Sequence, residues 1–333
     1  LLKVSISHQK PVITEYWSAT EIAQQNHKLS FSSDSKAIDS LEGVLRSSVK
    51  QQMIADVPIG AFLSGGIDSS VTTALMQEQS MEKIKTFTIG FNQQGFNEAE
   101  HAKAVANHLN TDHAELYIDS QDLLNVIPKL SELYDEPFGD SSQIPTYLIS
   151  QFAKQTVTVA LSGDGGDELF CGYNRYKISD KYWRKLKTIP LFLRRIIASS
   201  ISKLPPQQID KMYSLVTRNA QYANFSDKVL KGSNVIASKD IADLYIGLIS
   251  ACKDPNSCVI DGIESNNFLH SKLNMLKNFD DLSLMMLMDL LTYLPDDILT
   301  KVDRAAMGVS LETRVPMLDH QIVEFAMQLP QEY

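Results

Sequence analysis

The stretch that decides the fold is "GAFLSGGIDSS", residues 60–70. Its apolar beginning ends abruptly in a serine and two glycines, and one apolar residue later come Asp68 and two more serines. The segment that follows, "VTTALMQEQ", carries apolar residues at helical spacing. The pattern therefore predicts a buried strand, a glycine turn and a helix in immediate succession.

The residue types in this turn suit a phosphate group. Glycines let the backbone approach a ligand closely, and the start of the following helix offers unpaired N–H groups and a positive dipole end. Ser64, Ser69 and Ser70 add hydroxyl donors, whereas Asp68 is better suited to a Mg²⁺ ion bound to the phosphate. The alternative is a plain helix cap formed by Asp68 or Ser69. The lysine of the kinase P-loop, GxxxxGK[ST], is missing.

A second stretch, "VTVALSGDGGDELFCGYNRY" at 157–176, repeats the design. An apolar strand leads into a Ser-Gly pair, an acid, two glycines and two further acids. Because ligands of open parallel sheets bind beyond the carboxyl ends of the strands, we expect both turns at one edge. Asp68 and Asp167 would then hold one metal. The alternative for Asp164, Asp167 and Glu168 is that they are first-turn acids favoured by a helix dipole.

Strand and helix signals alternate through the first half of the chain. Apolar residues recur at helical spacing over 37–56 and 97–109. The alternation predicts an α/β fold, a parallel sheet with helices on both faces. Residues 176–282 lack strong strand signals and predict a mostly helical portion, and 282–294 predicts a buried helix. The four predicted strands are residues 60–64, 85–91, 113–118 and 157–162.

Composition and charge exclude several classes of partner. The chain has 333 residues, 44% of them apolar, and a net charge of −9, which argues against a broad nucleic-acid-binding surface. No apolar run reaches the roughly 18 residues that span a bilayer, and the N-terminus does not resemble a signal peptide. The three cysteines are not spaced as metal ligands, and their odd number argues against a disulfide framework. We therefore expect a cytoplasmic protein that binds neither nucleic acid nor membrane.

Together with a third motif, these turns resemble a known family. "LSGGIDSS" matches the SGGxDS pyrophosphate loop of the adenine-nucleotide α-hydrolase superfamily, which several synthetases share. With "LSGDGGDELFCGY" and "DDILTKVDRAAMGVSLETRVPMLD" at 296–319, the chain resembles the synthetase domain of glutamine-hydrolysing asparagine synthetase, B type. The resemblance runs from about residue 40 to the C-terminus.

This resemblance implies a two-step ligase reaction. ATP would activate the side-chain carboxylate of aspartate as an acyl-adenylate and release pyrophosphate. Ammonia would then attack the acyl carbon, and AMP would leave. A backbone cradle with a metal suits this chemistry, because it stabilises charge on the leaving phosphates. ATP and Mg²⁺ are the implied cofactors.

The resemblance also implies roles for single residues. Lys301 aligns with a family lysine that neutralises charge on the phosphates, although a lone lysine is usually a solvated surface group. Asp164 would orient the incoming amine or accept its proton, and Asp167 would share the metal with Asp68. The implied pyrophosphate cradle consists of Ser64, Gly65, Gly66, Asp68 and Ser69. The implied adenine contacts, each equally suited to the core, are Leu63, Ile89, Ser162 and Gly163.

Further polar residues are candidates for the acceptor pocket. Tyr173 would belong to the same pocket as Asp164. Asp140, Ser142 and Tyr147 in "GDSSQIPTY" could contact substrate, although such loop residues commonly form turns. The C-terminal motif is expected to supply structural ion pairs instead, from Glu312, Arg314 and Asp319.

The family also predicts a domain organisation. Its full-length members carry an N-terminal glutaminase domain that begins with a nucleophilic cysteine, whereas this chain begins at Leu1 and has no cysteine before Cys171. We expect residues 1–35, with a hairpin or linker at their start, to be the tail of that missing domain, a partner in cis. A synthetase domain over 36–333 would then use free ammonia but not glutamine, and a homodimer is one expected assembly. Its expected parts are an α/β core, a helical portion and a segment that completes the site, residues 36–175, 176–282 and 283–333.

Two other functions stay open. A related ligase could amidate another carboxylate, such as a sugar uronate or a β-lactam precursor, and only pocket residues would distinguish it. A non-catalytic nucleotide-binding module is the other alternative. The intact loop, both acidic turns and Lys301 argue against that module.

Overall fold

The chain folds into two compact units. The computed structural model describes residues 2–5, 8–25, 28–91, 98–216, 225–250, 252, 256, 259–262, 279–331 and 333. The first unit combines Leu1–Gly172 with Tyr293–Tyr333, and the second is Tyr173–Thr292. The chain therefore leaves the first unit after the second Ser-Gly turn and returns to it before the C-terminal motif.

A two-stranded antiparallel hairpin opens the chain. Strands β1 (Leu2–Ser5) and β2 (His8–Ile13) pair from Leu2 opposite Ile13, which confirms the hairpin predicted for this segment. Helices α1 (Ala19–Gln24) and α2 (Asp34–Gln52) follow, and the second corresponds to the helix predicted over 37–56. The side chain of Ser33 caps α2 by accepting a hydrogen bond from the Lys36 backbone N–H.

The core of the first unit is a five-stranded parallel sheet. Its strands are β3 (Ile59–Phe62), β4 (Lys85–Phe91), β5 (Asp112–Ile118), β6 (Val159–Leu161) and β7 (Glu312–Arg314). Their order across the sheet is β5-β4-β3-β6-β7, and every pair is parallel. The four predicted strands are confirmed. The fifth, β7, was not predicted as a strand.

Helices cover both faces of this sheet. Phe62 and Leu63 are adjacent in the chain, so their side chains point to opposite faces. Phe62 packs with Ala153 and Ala306 in one core cluster, whereas Leu63 packs with Ala102 and its neighbours in another. The predicted α/β architecture is therefore confirmed. The helices of this unit after α2 are α3 (Ile67–Glu78), α4 (Ala99–Leu109), α5 (Ser120–Val126), α6 (Leu130–Leu133), α7 (Gln143–Lys154) and α8 (Gly166–Leu169).

All the regular secondary structure that the described residues of the second unit form is helical, as predicted for 176–282. A buried carboxylate joins three of its helices: Asp289 accepts hydrogen bonds from the hydroxyls of Tyr176 at 2.7 Å and Tyr245 at 2.5 Å, and from Arg175 at 2.7 Å. The predicted helix over 282–294 is confirmed as the last of the series. The helices are α9 (Asn174–Leu186), α10 (Leu191–Ser202), α11 (Pro206–Val216), α12 (Phe225–Ile236), α13 (Ile241–Ile249) and α14 (Asp281–Leu291).

The chain then completes the first unit. A π-helical turn, Leu294–Leu299, leads into α15 (Thr300–Met307) and then into β7. A 3₁₀ turn, Pro316–Leu318, precedes the last helix, α16 (His320–Gln328). Among the described residues, none of the helices has the length and apolar content that crossing a membrane requires.

Candidate functional site

Both Ser-Gly turns lie at the point where the strand order of the sheet reverses. From β3 the chain builds β4 and β5 on one side, and then it crosses to add β6 and β7 on the other. Strands β3 and β6 are parallel neighbours, with Ala61 opposite Leu161, so the residues that follow them leave the same edge together. Such a reversal creates a crevice at the carboxyl ends of the strands, where open α/β sheets bind their ligands.

The first turn is held by hydroxyl hydrogen bonds within the loop. The Ser69 hydroxyl lies 3.0 Å from the Ser64 hydroxyl and accepts a hydrogen bond from the Ser64 backbone N–H at 3.2 Å. The Gly66 N–H donates to the Ser64 hydroxyl at 3.2 Å, and the Ser70 hydroxyl donates to the Gly66 carbonyl at 2.6 Å. The loop is therefore pre-formed around the start of α3.

The helix cap is not made by the residues that a plain capping role requires. The N-cap of α3 is Gly66, with no side-chain cap, and Asp68 lies inside the first turn. Neither Asp68 nor Ser69 stands at the cap. Gly66 therefore offers the first N–H groups of α3 no side-chain acceptor, which suits an anionic ligand.

Two glycines of the turns allow close backbone approaches. Gly65 has φ +82, and a Cβ there would lie 2.7 Å from the backbone nitrogen of Ala102. A Cβ on Gly163 would lie 2.6 Å from the backbone nitrogen of Ser69 and 2.8 Å from the carbonyl carbon of Asp68. The second Ser-Gly turn therefore packs directly against the start of α3, and the two turns form one site.

Three carboxylates converge on this site. Burial, together with the nearby charges of Asp167 and Asp164, raises the pKa of Asp68 to about 6. Burial also raises the pKa of Asp164, against the opposing effects of Ser162 and Lys301. A Cβ on Gly166 would collide with the Asp68 carboxylate, so the backbone of the second turn touches that acid. The three acids therefore lie close enough to interact, and their role at a metal stays a prediction.

These carboxylates fit a magnesium ion that is shared with phosphate. Within the described part of the chain, no group of three or more His, Cys, Asp or Glu side chains is placed to hold a metal. Mg²⁺ is commonly bound through one or two carboxylates plus substrate phosphates rather than by an all-protein cage. The mutual repulsion of Asp68 and Asp167 is what such a cation would relieve. The pair therefore suits a metal that arrives with the nucleotide.

Lys301 is held in the first unit by an acid rather than extended into solvent. Its ammonium nitrogen lies 2.9 Å from Oδ2 of Asp140, and the two side chains are only 12% and 19% exposed. The same carboxylate accepts hydrogen bonds from the Ser142 backbone N–H at 2.8 Å and from its hydroxyl at 2.7 Å. Ser142 thus forms a turn with Asp140, the alternative role considered for it. The pairing of Asp140 with Lys301 was not predicted.

The residues predicted to contact adenine lie in or directly after the strands of the sheet, whereas Tyr173 lies in the second unit. Leu63 is buried, and its N–H donates to the Phe87 carbonyl at 2.9 Å, whereas Ile89 is half-buried near the end of β4. The Ser162 N–H donates to the Arg314 carbonyl at 2.9 Å. Tyr173 begins the second unit, where the Arg175 guanidinium lies 4.2 Å from its ring centroid. Its role in an acceptor pocket stays a prediction.

The C-terminal motif adds a strand that sequence reasoning missed. Glu312 and Arg314, both predicted to form structural ion pairs, pair with each other at 2.6 Å, but the two residues also bound β7. Arg314 further donates to the carbonyls of Gln52, the last residue of α2, and Ile54, just after it, at 2.7 and 2.8 Å. Asp319, predicted to form an ion pair, caps α16 through the Gln321 N–H and lies 3.5 Å from His320.

A five-stranded parallel sheet with two Ser-Gly turns at its reversal point defines a class, the open α/β proteins that bind ligands at the carboxyl ends of their strands. The comparisons narrow it: residues 40–333 match the asparagine synthase family, and the chain belongs to that family. The membership predicted from the three sequence motifs is therefore confirmed. The family's chemistry is ATP-dependent amidation.

Individual relatives agree with this membership. The chain is 32% identical over 302 residues to asparagine synthetase [glutamine-hydrolyzing] 1 of Bacillus subtilis, covering 90% of this chain and 45% of that protein. It is 31% identical over 176 residues to asparagine synthetase B of Escherichia coli, covering 46% of this chain and 31% of that protein. The chain thus spans less than half the length of these relatives. An NH3-dependent NAD synthetase from Campylobacter jejuni aligns with 69% of this chain and 98% of its own at 13% identity, with a TM-score of 0.31, too low to bear on the fold.

Proposed function

We propose that this chain is the synthetase part of an asparagine synthetase. It would activate the side-chain carboxylate of aspartate with ATP and pass the acyl group to ammonia, which in a complete enzyme would come from glutamine. Asparagine, AMP and pyrophosphate would be the products. The observation that carries the proposal is the contact of Gly163 with the start of α3, which joins two Ser-Gly turns and three carboxylates into one crevice.

The first turn would hold the pyrophosphate end of ATP. The hydroxyls of Ser64 and Ser69 and the uncapped start of α3 would donate hydrogen bonds to phosphate oxygens. Asp68 and Asp167 would hold Mg²⁺, which when bound neutralises charge on the departing pyrophosphate. Lys301 would add a compact positive charge, suited to phosphate without the planar geometry of arginine.

The second turn would serve the acyl-transfer half of the reaction. Asp164 lies in the same acid cluster, and burial raises its pKa. A carboxylate with a raised pKa is a stronger base when it is ionised, which suits the acceptance of a proton. Asp164 would accept a proton from the attacking ammonia or orient it. Leu63, Ile89, Ser162 and Gly163 would line the adenine site at the strand ends.

Exchange of labelled pyrophosphate into ATP tests this function directly. The full 333-residue chain should catalyse exchange only when aspartate and Mg²⁺ are both present, and it should make asparagine when ammonium is added. Glutamate, a sugar uronate and a β-lactam precursor serve as comparison acceptors. Exchange with one of these compounds and none with aspartate would reject aspartate as the acceptor but would leave the proposed ligase chemistry standing. No exchange with any acceptor would reject the proposal.

A further inference from the structure

The loop between α6 and α7 holds Lys301 at two points. The Tyr134 hydroxyl donates to the Lys301 carbonyl oxygen at 3.3 Å, and the Asp140 carboxylate accepts from the Lys301 ammonium at 2.9 Å. Asp140 stands 161 positions away from Lys301 in the sequence. Both the backbone and the charged end of this lysine are therefore fixed by one loop, residues 134–142.

This loop is itself braced. Tyr134 and Phe138 stack with ring centroids 4.9 Å apart and planes 14° from parallel. The Phe138 carbonyl accepts from the Gln143 side chain at 3.0 Å, which joins the loop to the start of α7. Ser142 donates twice to Asp140. The acid that meets Lys301 thus has a fixed direction.

Burial distinguishes this pair from an ordinary surface ion pair. Arg304, on the same helix as Lys301, pairs with Asp135 at 3.0 Å, but those side chains are 44% and 86% exposed. Burial alone would raise the pKa of Asp140, yet Lys301 and the two bonds from Ser142 outweigh burial and lower it to about 2. Asp140 is therefore ionised throughout the neutral range.

The charge of Lys301 also reaches the acid turn. It acts on Asp164, whose pKa it lowers against the effect of burial. The ammonium is thus close enough to two acids to interact with both: Asp140, which it touches, and Asp164, in the proposed site. A lysine side chain has several rotatable bonds, and ordering them costs conformational entropy. If the folded chain already holds the side chain in place, that entropy is not lost when the ligand binds.

We propose that Asp140 is a positioning residue that fixes the Lys301 ammonium in one place, ready for the nucleotide phosphates. The inference deepens the proposed function and rests on it, because it concerns how Lys301 meets the nucleotide phosphates. It differs from the sequence-based expectation that Asp140 contacts the acceptor. An ionised carboxylate already occupied by Lys301 and Ser142 is poorly suited to receive the carboxylate of an acceptor, since like charges repel.

The Asp140→Asn variant of the full chain tests the role of the charge. Its amide oxygen can still accept from Ser142, so the loop should keep its turn and the melting temperature should change little. We expect maximal pyrophosphate exchange to fall roughly 10- to 100-fold, the scale of a misplaced reacting group. The ATP concentration for half-maximal exchange should change less than about 3-fold. Asp135→Asn, which breaks the exposed pair on the same helix, is the matched control and should exchange like the wild type.

A double-mutant cycle separates positioning from direct substrate contact. In a chain that already carries Lys301→Ala, adding Asp140→Asn should lower the rate of pyrophosphate exchange by less than a further factor of about 2, because the residue that Asp140 positions is gone. If the two losses multiplied instead, Asp140 would act on substrate directly and the inference would be overturned. Wild-type exchange in Lys301→Ala alone would also overturn it, since no working lysine would need positioning.

Chemical labelling gives a readout that does not depend on activity. An amine-reactive acetylating ester, followed by mass spectrometry, should modify Lys301 several-fold faster in Asp140→Asn than in the wild type, with other lysines unchanged. Equal labelling in the two proteins would overturn the inference. Absence of exchange in the wild type with faster labelling in the variant would instead reject the proposed function and leave the contact between Asp140 and Lys301 as found.

Discussion

At the scale of single residues, the site stores electrostatic repulsion. Burial of Asp68, together with the nearby charges of Asp167 and Asp164, raises its pKa, so the folded chain disfavours its ionised form. Such repulsion reduces the stability of the ligand-free protein, a cost that functional sites commonly carry. A substitution that removes the charge of Asp68 should therefore raise the stability of the protein while it abolishes the activity.

Asp68→Asn should raise the melting temperature of the ligand-free chain by a few degrees at pH 8 while abolishing pyrophosphate exchange. Repulsion from two acids is lost, and so is a ligand of the proposed metal. The control is Asp34→Asn, an exposed first-turn acid of α2, which should leave exchange intact. Thermal denaturation followed by circular dichroism measures the first effect. A lower melting temperature for Asp68→Asn would contradict the electrostatic argument.

Two glycines with different surroundings give opposite expectations for one substitution. Gly163→Ala should destabilise the chain by about 1–3 kcal/mol and lower exchange, because its methyl group would press on the backbone of Asp68 and Ser69. Gly43 lies within α2 with nothing within 4 Å of an added Cβ. Gly43→Ala should therefore stabilise by up to about 1 kcal/mol. Urea unfolding of both variants checks the signs, and equal effects would show that the contact of Gly163 is unimportant.

At the scale of elements, sequence patterns predicted what is local and missed what is not. Strands β4 and β5 were evident from their apolar and β-branched residues, and the turns from their glycines. Strand β7 was missed because "ETR" has no strand pattern of its own. It exists because residues of β6, such as Val159 opposite Glu312, give it a partner. The pairing of Asp140 with Lys301 was missed for the same reason, since only the folded chain brings them together.

Strand β5 offers a test of how burial affects a titrating group. His113 donates to or accepts from the Thr86 hydroxyl at 2.9 Å, and its Nε2 is buried with no hydrogen-bond partner among the residues that the structure describes. Burial lowers its pKa, an effect that the charge of Lys103 reinforces and that of Glu115 opposes. The unfolded chain therefore binds this proton more readily than the folded one.

Stability should consequently fall as the pH drops through the ordinary histidine range, near 6.5. We expect His113→Gln to lose less unfolding free energy than the wild type between pH 7.5 and 5.5. His108→Gln, at an exposed position of α4, should follow the wild type. Denaturant unfolding at each pH measures the difference. Parallel pH profiles for the wild type and His113→Gln would rule out a buried neutral histidine.

At the scale of the whole molecule, the proposed site is assembled from distant parts of one chain. The first turn, the second turn and Lys301 come from separate segments of the first unit, and the entire second unit lies in the sequence between the last two. The chain also carries 31 basic against 40 acidic residues, a net charge of −9. ATP is itself strongly anionic, so both the local acids and the overall field oppose its approach unless a cation comes with it.

Thermal stabilisation by nucleotide should therefore depend on a divalent metal. With MgATP at 100 times its dissociation constant, mass action adds about 2.7 kcal/mol to the stability of the folded chain. ATP in excess EDTA should raise the melting temperature far less, because three carboxylates then face the phosphates without a cation. Asp68→Asn should bring the two shifts in melting temperature closer together. The shift with MgATP should shrink because the metal site is weakened, and the shift with ATP in EDTA should grow because less negative charge repels the nucleotide. Scanning fluorimetry with the four combinations of protein and metal measures all of these shifts. If ATP stabilised the wild type equally with Mg²⁺ and with EDTA, Asp68 and Asp167 would not be the metal ligands that their convergence suggests, and the positive charge at the phosphates would have to come from the chain itself.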